Sequence, residues 1–374
     1  MDSADFLIVG GGVAGLSLAA RLGSHGRVVV LEGEQALGYH SSGRSVTFSH
    51  YGIGNATVRA LTRWSRAFFL DPPDGFSPLC HRMPALFVAT AEMLDTLATL
   101  EATTRGLSPG VERLDAEGMR ALCPVLRLGD DAIVAGFADH DGLKLDADAL
   151  LQGYARAARA GGGRVETDAA IEAIAHDGGA WVVTARNGRR WAAPVLVDAA
   201  GAWADGVAAL AGVVPLGVTP LRRTIIVVDA PDGADTRGWP FVKSAVDDFY
   251  LMPESGRLLA SPVDETPSAP CDAQPEEYDI AVAADRLAHF TTIVPRRIGH
   301  SWAGLRSFTR DRVPAAGFAP DAPGFFWLAG QGGYGLQTAP AMAEIAAALI
   351  TGTPLPAMPG VDPAAVTVER LYGR

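Results

Sequence analysis

Residues 6–22 read FLIVGGGVAGLSLAARL. The apolar run Phe6–Val9 has the character of a buried parallel strand. Three glycines and a fourth at position 15 follow it, and LSLAARL leaves them at helical spacing. RVVVLEGE (27–34) then gives a second strand ending at Glu32. Strand, turn, helix, strand and acid fill the roughly 30 residues of a βαβ dinucleotide unit. Gly10 permits the tight turn, Gly12 admits a pyrophosphate to the backbone amides, and Gly15 lets helix and strand pack closely. The helix N-terminus turns its partial positive charge toward the phosphates. Glu32 is placed to accept hydrogen bonds from a ribose diol, and its charge disfavours the 2′-phosphate of NADP.

This turn alone does not separate FAD from NAD; the far end of the chain does. Residues 324–350 read GFFWLAGQGGYGLQTAPAMAEIAAALI, a second strand, glycine turn and helix. Gly330, Gly332, Gly333 and Gly335 are more glycine than a helix cap needs. A nicotinamide domain completes its nucleotide site within one contiguous half. A chain that wanders for hundreds of residues and returns with a second turn suits a flavin, with the adenine end at one turn and the ring near the other. The amides of residues 332–335 are then expected at the pyrimidine edge of the isoalloxazine, where negative charge develops on reduction.

Composition agrees with a globular protein. The 374 residues are 48% hydrophobic and 20% charged, and the net charge of −11 disfavours nucleic acid or an anionic membrane as partner. Cys80, Cys123 and Cys271 form no CxxC and read as reduced thiols, which predicts a cytoplasmic protein. Met1–Asp5 is acidic and introduces no signal peptide, and no segment has the length and apolarity of a membrane span. No His/Cys/carboxylate cluster has metal-ligand spacing, and no GxSxG context suggests acyl chemistry.

Between the turns, residues 149–174 and 179–212 read as helix, turn and strand units, with a hairpin at Asn187-Gly188. ALFVA (85–89), TPLRRTIIVVDA (219–230), DDFYLMPESGRLLAS (247–261) and HSWAGLRSF (300–308) read instead as strands of a mainly antiparallel sheet. The expected class is α/β: a discontinuous Rossmann-type, glutathione-reductase-like cofactor domain (1–80, 143–212, 299–374) and an α+β substrate domain (81–142, 213–298).

Arg306 lies in the apolar run WAGLRSF, and Arg222-Arg223 opens RRTIIVV. A guanidinium in a strand otherwise made for burial is costly unless paired, and two such groups suit an amino-acid carboxylate held bidentately. Alternation puts Arg222 and Arg223 on opposite faces, and Arg223 is the better placed by position.

Taken with GYHSSGRS (38–45), VLVDAAGAW (195–203), FYLMP (249–253) and QGGYGLQT (331–338), these residues resemble the D-amino-acid oxidase superfamily of FAD enzymes. Within it the chain most resembles the bacterial D-arginine dehydrogenase group, along essentially its whole length. The resemblance implies noncovalent FAD held by Gly10, Gly12, Val13, Ala14, Gly15 and Glu32, by Ser42, Gly43, Arg44, Ser45 and Val46 along the flavin, and by Ile171 near the adenine. Ala200, Gly201, Trp203, Arg306, Gly332, Gly333, Tyr334, Gly335, Leu336 and Gln337 complete that site. It further implies a substrate carboxylate held by Arg223, Arg306 and the Tyr250 hydroxyl, an amine oriented by the Gly333 carbonyl, and a lid containing Tyr51; no strong general base is visible in the sequence, which leaves water, Tyr51 or His50 to receive the amine proton.

The chain departs from that group where it discriminates substrates. The acid that pairs with a substrate guanidinium aligns with Ala85, and a flavin-side histidine aligns with Phe48. The expectation is therefore a neutral, apolar or aromatic D-amino acid, oxidised at Cα to a 2-oxo acid and ammonia. A missing lysine in GRLLAS (256–261) tilts the expectation toward a dehydrogenase, with quinone, dye or O2 as acceptor and a monomer or dimer as assembly. The alternatives are a secondary amine such as an N-substituted glycine, a 2-hydroxy acid, or a flavin-binding protein without catalysis.

Overall fold

The computed structural model describes residues 1–372. Its central sheet has six strands in the order Arg164–Glu166, Val28–Leu31, Phe6–Val9, Val195–Asp198, Phe325–Ala329 and Ala315–Phe318. The first five are parallel and the last is antiparallel. The unbroken apolar run at residues 6–9 is explained by cover on both faces. Phe6 and Ile8 pack with the helices Val13–Leu22, Ala147–Ala160 and Gly335–Thr351. Leu7 and Val9 pack with Trp181, Val183 and Trp191 of a small four-stranded sheet on the opposite side. Each such side chain removed from water contributes about 1.5–3 kcal/mol.

Phe6–Val9 and Phe325–Ala329 flank the same strand, Val195–Asp198. Two glycine turns distant in sequence thus leave the carboxyl ends of parallel strands roughly 10 Å apart. In open α/β sheets that edge is where ligands bind.

A second, nine-stranded sheet is antiparallel apart from the pairing of Phe241–Ser244 with Ala85–Ala89. Its strands run Thr219–Asp229, Arg257–Ser261, Tyr250–Glu254, Phe241–Ser244, Ala85–Ala89, Ala135–Asp139 and Val111–Leu114, with Thr266–Pro267 beside the first. His300–Phe308 completes it along the other edge of Thr219–Asp229, pairing from Thr219↔Phe308 to Val227↔His300. Residues 300–308, read from sequence as a strand of the mainly antiparallel sheet, belong to it, so the segment that starts at 299 runs along this sheet first. Ala303 and Leu305 are buried on it, and the chain rejoins the six-stranded sheet only at Ala315.

Candidate active site

The first turn is built by close backbone approach. Gly10 has φ +111°, and a Cβ there would stand 2.4 Å from the Ala199 carbonyl oxygen. At Gly15 it would stand 2.0 Å from the Gly10 carbonyl oxygen, so no other residue fits. Gly11, which the spacing argument passed over, is equally confined by Glu32 and Leu37. The Glu32 carboxylate accepts from the amides of Gly11 (2.8 Å) and Glu34 (2.9 Å), and burial raises its pKa despite those bonds. Helix Val13–Leu22 has no side-chain cap and no acid in its first turn; Ser42 Oγ takes the Val13 amide at 3.0 Å. That leaves neighbouring amides open toward a cavity.

The cavity, about 570 Å³, runs past both turns. Gly10, Gly12, Val13, Ala14 and Glu32 line it at one end, and Gly332 to Gln337 at the other. Ser42, Arg44, Ser45, Val46, Ile171, Ala200, Gly201 and Trp203 also lie on its wall. Helix Gly335–Thr351 meets it with an uncapped, acid-free N-terminus, as the first helix does. Gln337 anchors that end: its Nε2 donates to Thr62 Oγ1 (2.8 Å) and its Oε1 accepts the His50 amide (3.3 Å). Two residues expected at the cofactor are absent from the wall. Gly15 serves helix–strand packing, and Gly43 approaches Gly38, whose carbonyl takes its amide at 2.7 Å. The Arg44 side chain points outward, donating to the carbonyls of Ala273 (3.0 Å) and Ala303 (3.2 Å) and pairing with Asp272.

Near the second turn the nine-stranded sheet closes the cavity with Arg223, Ile225, Tyr250 and Arg306. Arg222 turns to the other face and is neutralised by Asp279 (2.9 Å) and Glu276. Arg223 is buried; its Nε donates to the Asp264 carbonyl (2.8 Å) and Nη2 stands 3.4 Å from Glu265. Burial, with Arg306 nearby, pushes its pKa down to about 10, so it remains cationic at neutral pH. The Arg306 guanidinium lies against Gly333, where a Cβ would be 2.7 Å from Nη1. Among the described residues no hydrogen-bond or ion-pair partner of Arg306 occurs. Three further polar atoms on the cavity wall are buried without a partner: Tyr250 OH, Ser307 Oγ and Gln331 Nε2. The Tyr250 hydroxyl lies beside Ser261 but outside hydrogen-bonding geometry. Orphaned donors of this kind are stabilised by a ligand that accepts from them.

The model of the family described as DAO, FAD dependent oxidoreductase, matches residues 5–349. The chain belongs to that family. FAD is its cofactor, and the open helix N-termini, the glycine cradles and the orphaned donors fit it. The oxidoreductase is similar to the uncharacterized oxidoreductase YurR of Bacillus subtilis (strain 168), 25% identical over 93% of this chain and 95% of that one. Among solved structures, glycine oxidase from Geobacillus kaustophilus superposes with a TM-score of 0.84 at 24% identity, covering all of both chains. The FAD-bound L-alpha-glycerophosphate oxidase from Mycoplasma pneumoniae gives 0.83 at 22% identity, covering 97% of this chain and 99% of that one. Those likenesses show the fold.

His50 and Tyr51 stand behind the cavity wall. His50 Nδ1 accepts the Gly52 amide at 3.0 Å, and its ring sits among Phe48, Phe87 and Phe241. Burial, reinforced by Lys243, pushes its pKa down to about 3, which corrects its expected role as a proton acceptor: it is too weak a base to deprotonate an ammonium. Tyr51 is buried near Arg66 and Asp139, away from the cavity, and burial raises its pKa. Sequence reasoning also missed Lys243, which is 3% exposed and interrupts the aromatic wall. The signal was one charge within WPFVKSAV (239–246). Cys80, Cys123 and Cys271 are free. Among the described residues no cluster is placed to hold a metal, and no helix is long and apolar enough to cross a membrane.

Proposed function

We propose that the protein oxidises the Cα–H bond of an α-amino acid, giving an imine that hydrolyses to a 2-oxo acid and ammonia. The observation that carries this reading is the pair Arg223 and Arg306 at the second-turn end of the cavity, one of them without a partner among the described residues. A carboxylate bridging the two satisfies both guanidinium groups and takes a third hydrogen bond from Tyr250 OH. Gly333, against which Arg306 rests, offers its carbonyl to the amine. Held at both substituents, Cα has one accessible orientation, and this positioning is the protein's main contribution. Bound FAD supplies the acceptor for the hydride.

The D configuration comes from the resemblance to the D-arginine dehydrogenase group; Ala85 in place of the acid argues against a cationic side chain. With His50 engaged and Tyr51 outside the cavity, no side chain takes the amine proton, and water or the bulk receives it. The rate should then follow the substrate's own ammonium ionisation.

Anaerobic mixing of the purified holoprotein with D- and L-amino acids, N-methyl amino acids and 2-hydroxy acids tests the reading by bleaching of the flavin absorbance. Rapid bleaching by one or more D-amino acids supports it. Bleaching confined to secondary amines or hydroxy acids replaces it with the corresponding oxidation, and a flavin that no candidate reduces defeats it. Repeating the mixing in air measures whether O2 serves as acceptor.

A further inference from the structure

Two arginines reach for Glu265. Arg223 Nη2 stands 3.4 Å from its Oε1, and Arg312 Nη2 stands 2.6 Å from the same oxygen. One carboxylate oxygen is thus shared unequally, held close by the outer arginine and loosely by the one on the cavity wall. Arg312 is itself fixed in place. Its guanidinium lies over the Phe308 ring, 4.0 Å from the centroid, and its backbone sits in the left-handed region at φ +60°. The Arg312 amide donates to the Thr309 carbonyl (3.0 Å), and its own carbonyl accepts from the Tyr334 hydroxyl. A backbone of this kind persists only where its surroundings over-determine it. Phe308 and Tyr334 also pack at the second glycine turn, where a Cβ on Gly332 would meet each ring at 2.7 Å.

The other carboxylates that face Arg223 are engaged elsewhere. Asp264 accepts from the Thr224 amide (2.7 Å) and hydroxyl (3.1 Å), and Asp247 pairs with Lys243 (2.8 Å). Arg223 Nε is taken by the Asp264 carbonyl, so Nη1 and Nη2 make up the edge left for a ligand. Nη2 is the atom that Glu265 approaches. Arg223 is buried and faces a second cation, Arg306, so it draws a mobile carboxylate strongly. Released from Arg312, Glu265 would close on that edge and occupy it.

We propose that Arg312 is a positioning residue: by holding Glu265 it keeps the Arg223 fork open to the substrate's carboxylate. This rests on the amino-acid reading above for what Arg223 binds. The pair matters through this competition, since a half-exposed ion pair adds little to stability. It follows that Glu265 inhibits binding only when Arg312 is missing.

The test is a double-mutant cycle on the FAD holoprotein, read as butyrate affinity from the visible flavin spectrum. Arg312→Ala is expected to weaken butyrate binding about ten-fold, while Glu265→Gln alone changes it by less than about two-fold. Combining the two should return the affinity to within about two-fold of wild type. Charges acting only at a distance give a different pattern, in which the single effects add and Glu265→Gln tightens binding alone. That additive result overturns the proposal, as does an Arg312→Ala protein with wild-type affinity. A double variant as weak as Arg312→Ala also overturns it, because the loss then comes from disturbed packing at Phe308. Arg312→Gln, which keeps most of the side chain over Phe308 and removes the charge, repeats the cycle independently of folding. In the same samples kcat/KM for D-amino acids should follow the butyrate pattern through KM, with kcat nearly unchanged. The butyrate pattern without oxidation of any amino acid keeps the role of Arg312 and overturns the amino-acid reading. A wild type that binds no carboxylate overturns both.

Discussion

In the proposed reaction Arg306 is the residue on which the chemistry turns, because its guanidinium meets the cavity with no partner among the described residues. Arg306→Ala removes one of two carboxylate clamps and should lower kcat/KM by roughly 100- to 1,000-fold, mostly through KM, with flavin retained. Steady-state kinetics beside the flavin spectrum checks both halves of that statement. His50 makes a different prediction. Its folded pKa of about 3 lies below the ordinary value of 6.5, so the unfolded chain takes up a proton first as pH falls. The stability present above pH 6.5 is thus lost as pH drops from there toward 3, by up to a few kcal/mol. His50→Asn should flatten that decline in thermal unfolding measured from pH 7 to pH 4. Legibility in the sequence differed among these residues. Arg223 and Arg306 stood out as charges in apolar runs, and alternation alone separated Arg223 from Arg222. Lys243 sits in a similarly apolar run, but its strand is only four residues long, and which face it occupies depends on pairing with the distant Ala85–Ala89 strand. His50 could be seen near the flavin segment, whereas two of the three rings that bury it, Phe87 and Phe241, come from other chain segments.

Elements meet the cavity through their ends. Both helices that open on the cavity lack side-chain caps and first-turn acids, so their amides are left for a ligand. Gly15→Ala should damage the first of them, since its new Cβ would enter the Gly10 carbonyl. Overpacking of this kind costs about 1–3 kcal/mol and displaces the helix N-terminus. The expected result is weaker FAD retention on desalting together with a melting temperature lower by several degrees. Gly52→Ala, behind the cavity wall, meets Phe87 and His50 in the same way but lies away from both glycine turns. It should lower substrate affinity while leaving FAD content unchanged, read by flavin-to-protein absorbance ratio and KM. Glycines at the strand–helix junctions were legible because only that residue type meets the steric demand. Gly43 and Gly52 were less so, because the atoms they avoid are brought by tertiary packing.

On the scale of the whole molecule, one cavity is shared by two sheets, and the chain's first and last glycine turns are two strands apart in one of them. FAD that contacts both turns links folded segments from opposite ends of the sequence. Stripping it should therefore lower the global melting temperature, with recovery on adding FAD; a ligand at 100 times its Kd contributes about 2.7 kcal/mol. The sheet orders could be anticipated only in class. Residues 300–308 could be read as a strand of the antiparallel sheet, but their register there is decided by a partner some eighty residues earlier. The central claim, that the Arg223–Arg306 clamp faces the bound flavin, is tested most directly by titrating the holoprotein with butyrate and following the visible flavin spectrum. A saturable spectral shift in wild type, abolished in an Arg223→Met, Arg306→Met double variant that still holds FAD, is the predicted result. A protein that binds no flavin, or a shift of unchanged affinity in the double variant, would contradict it.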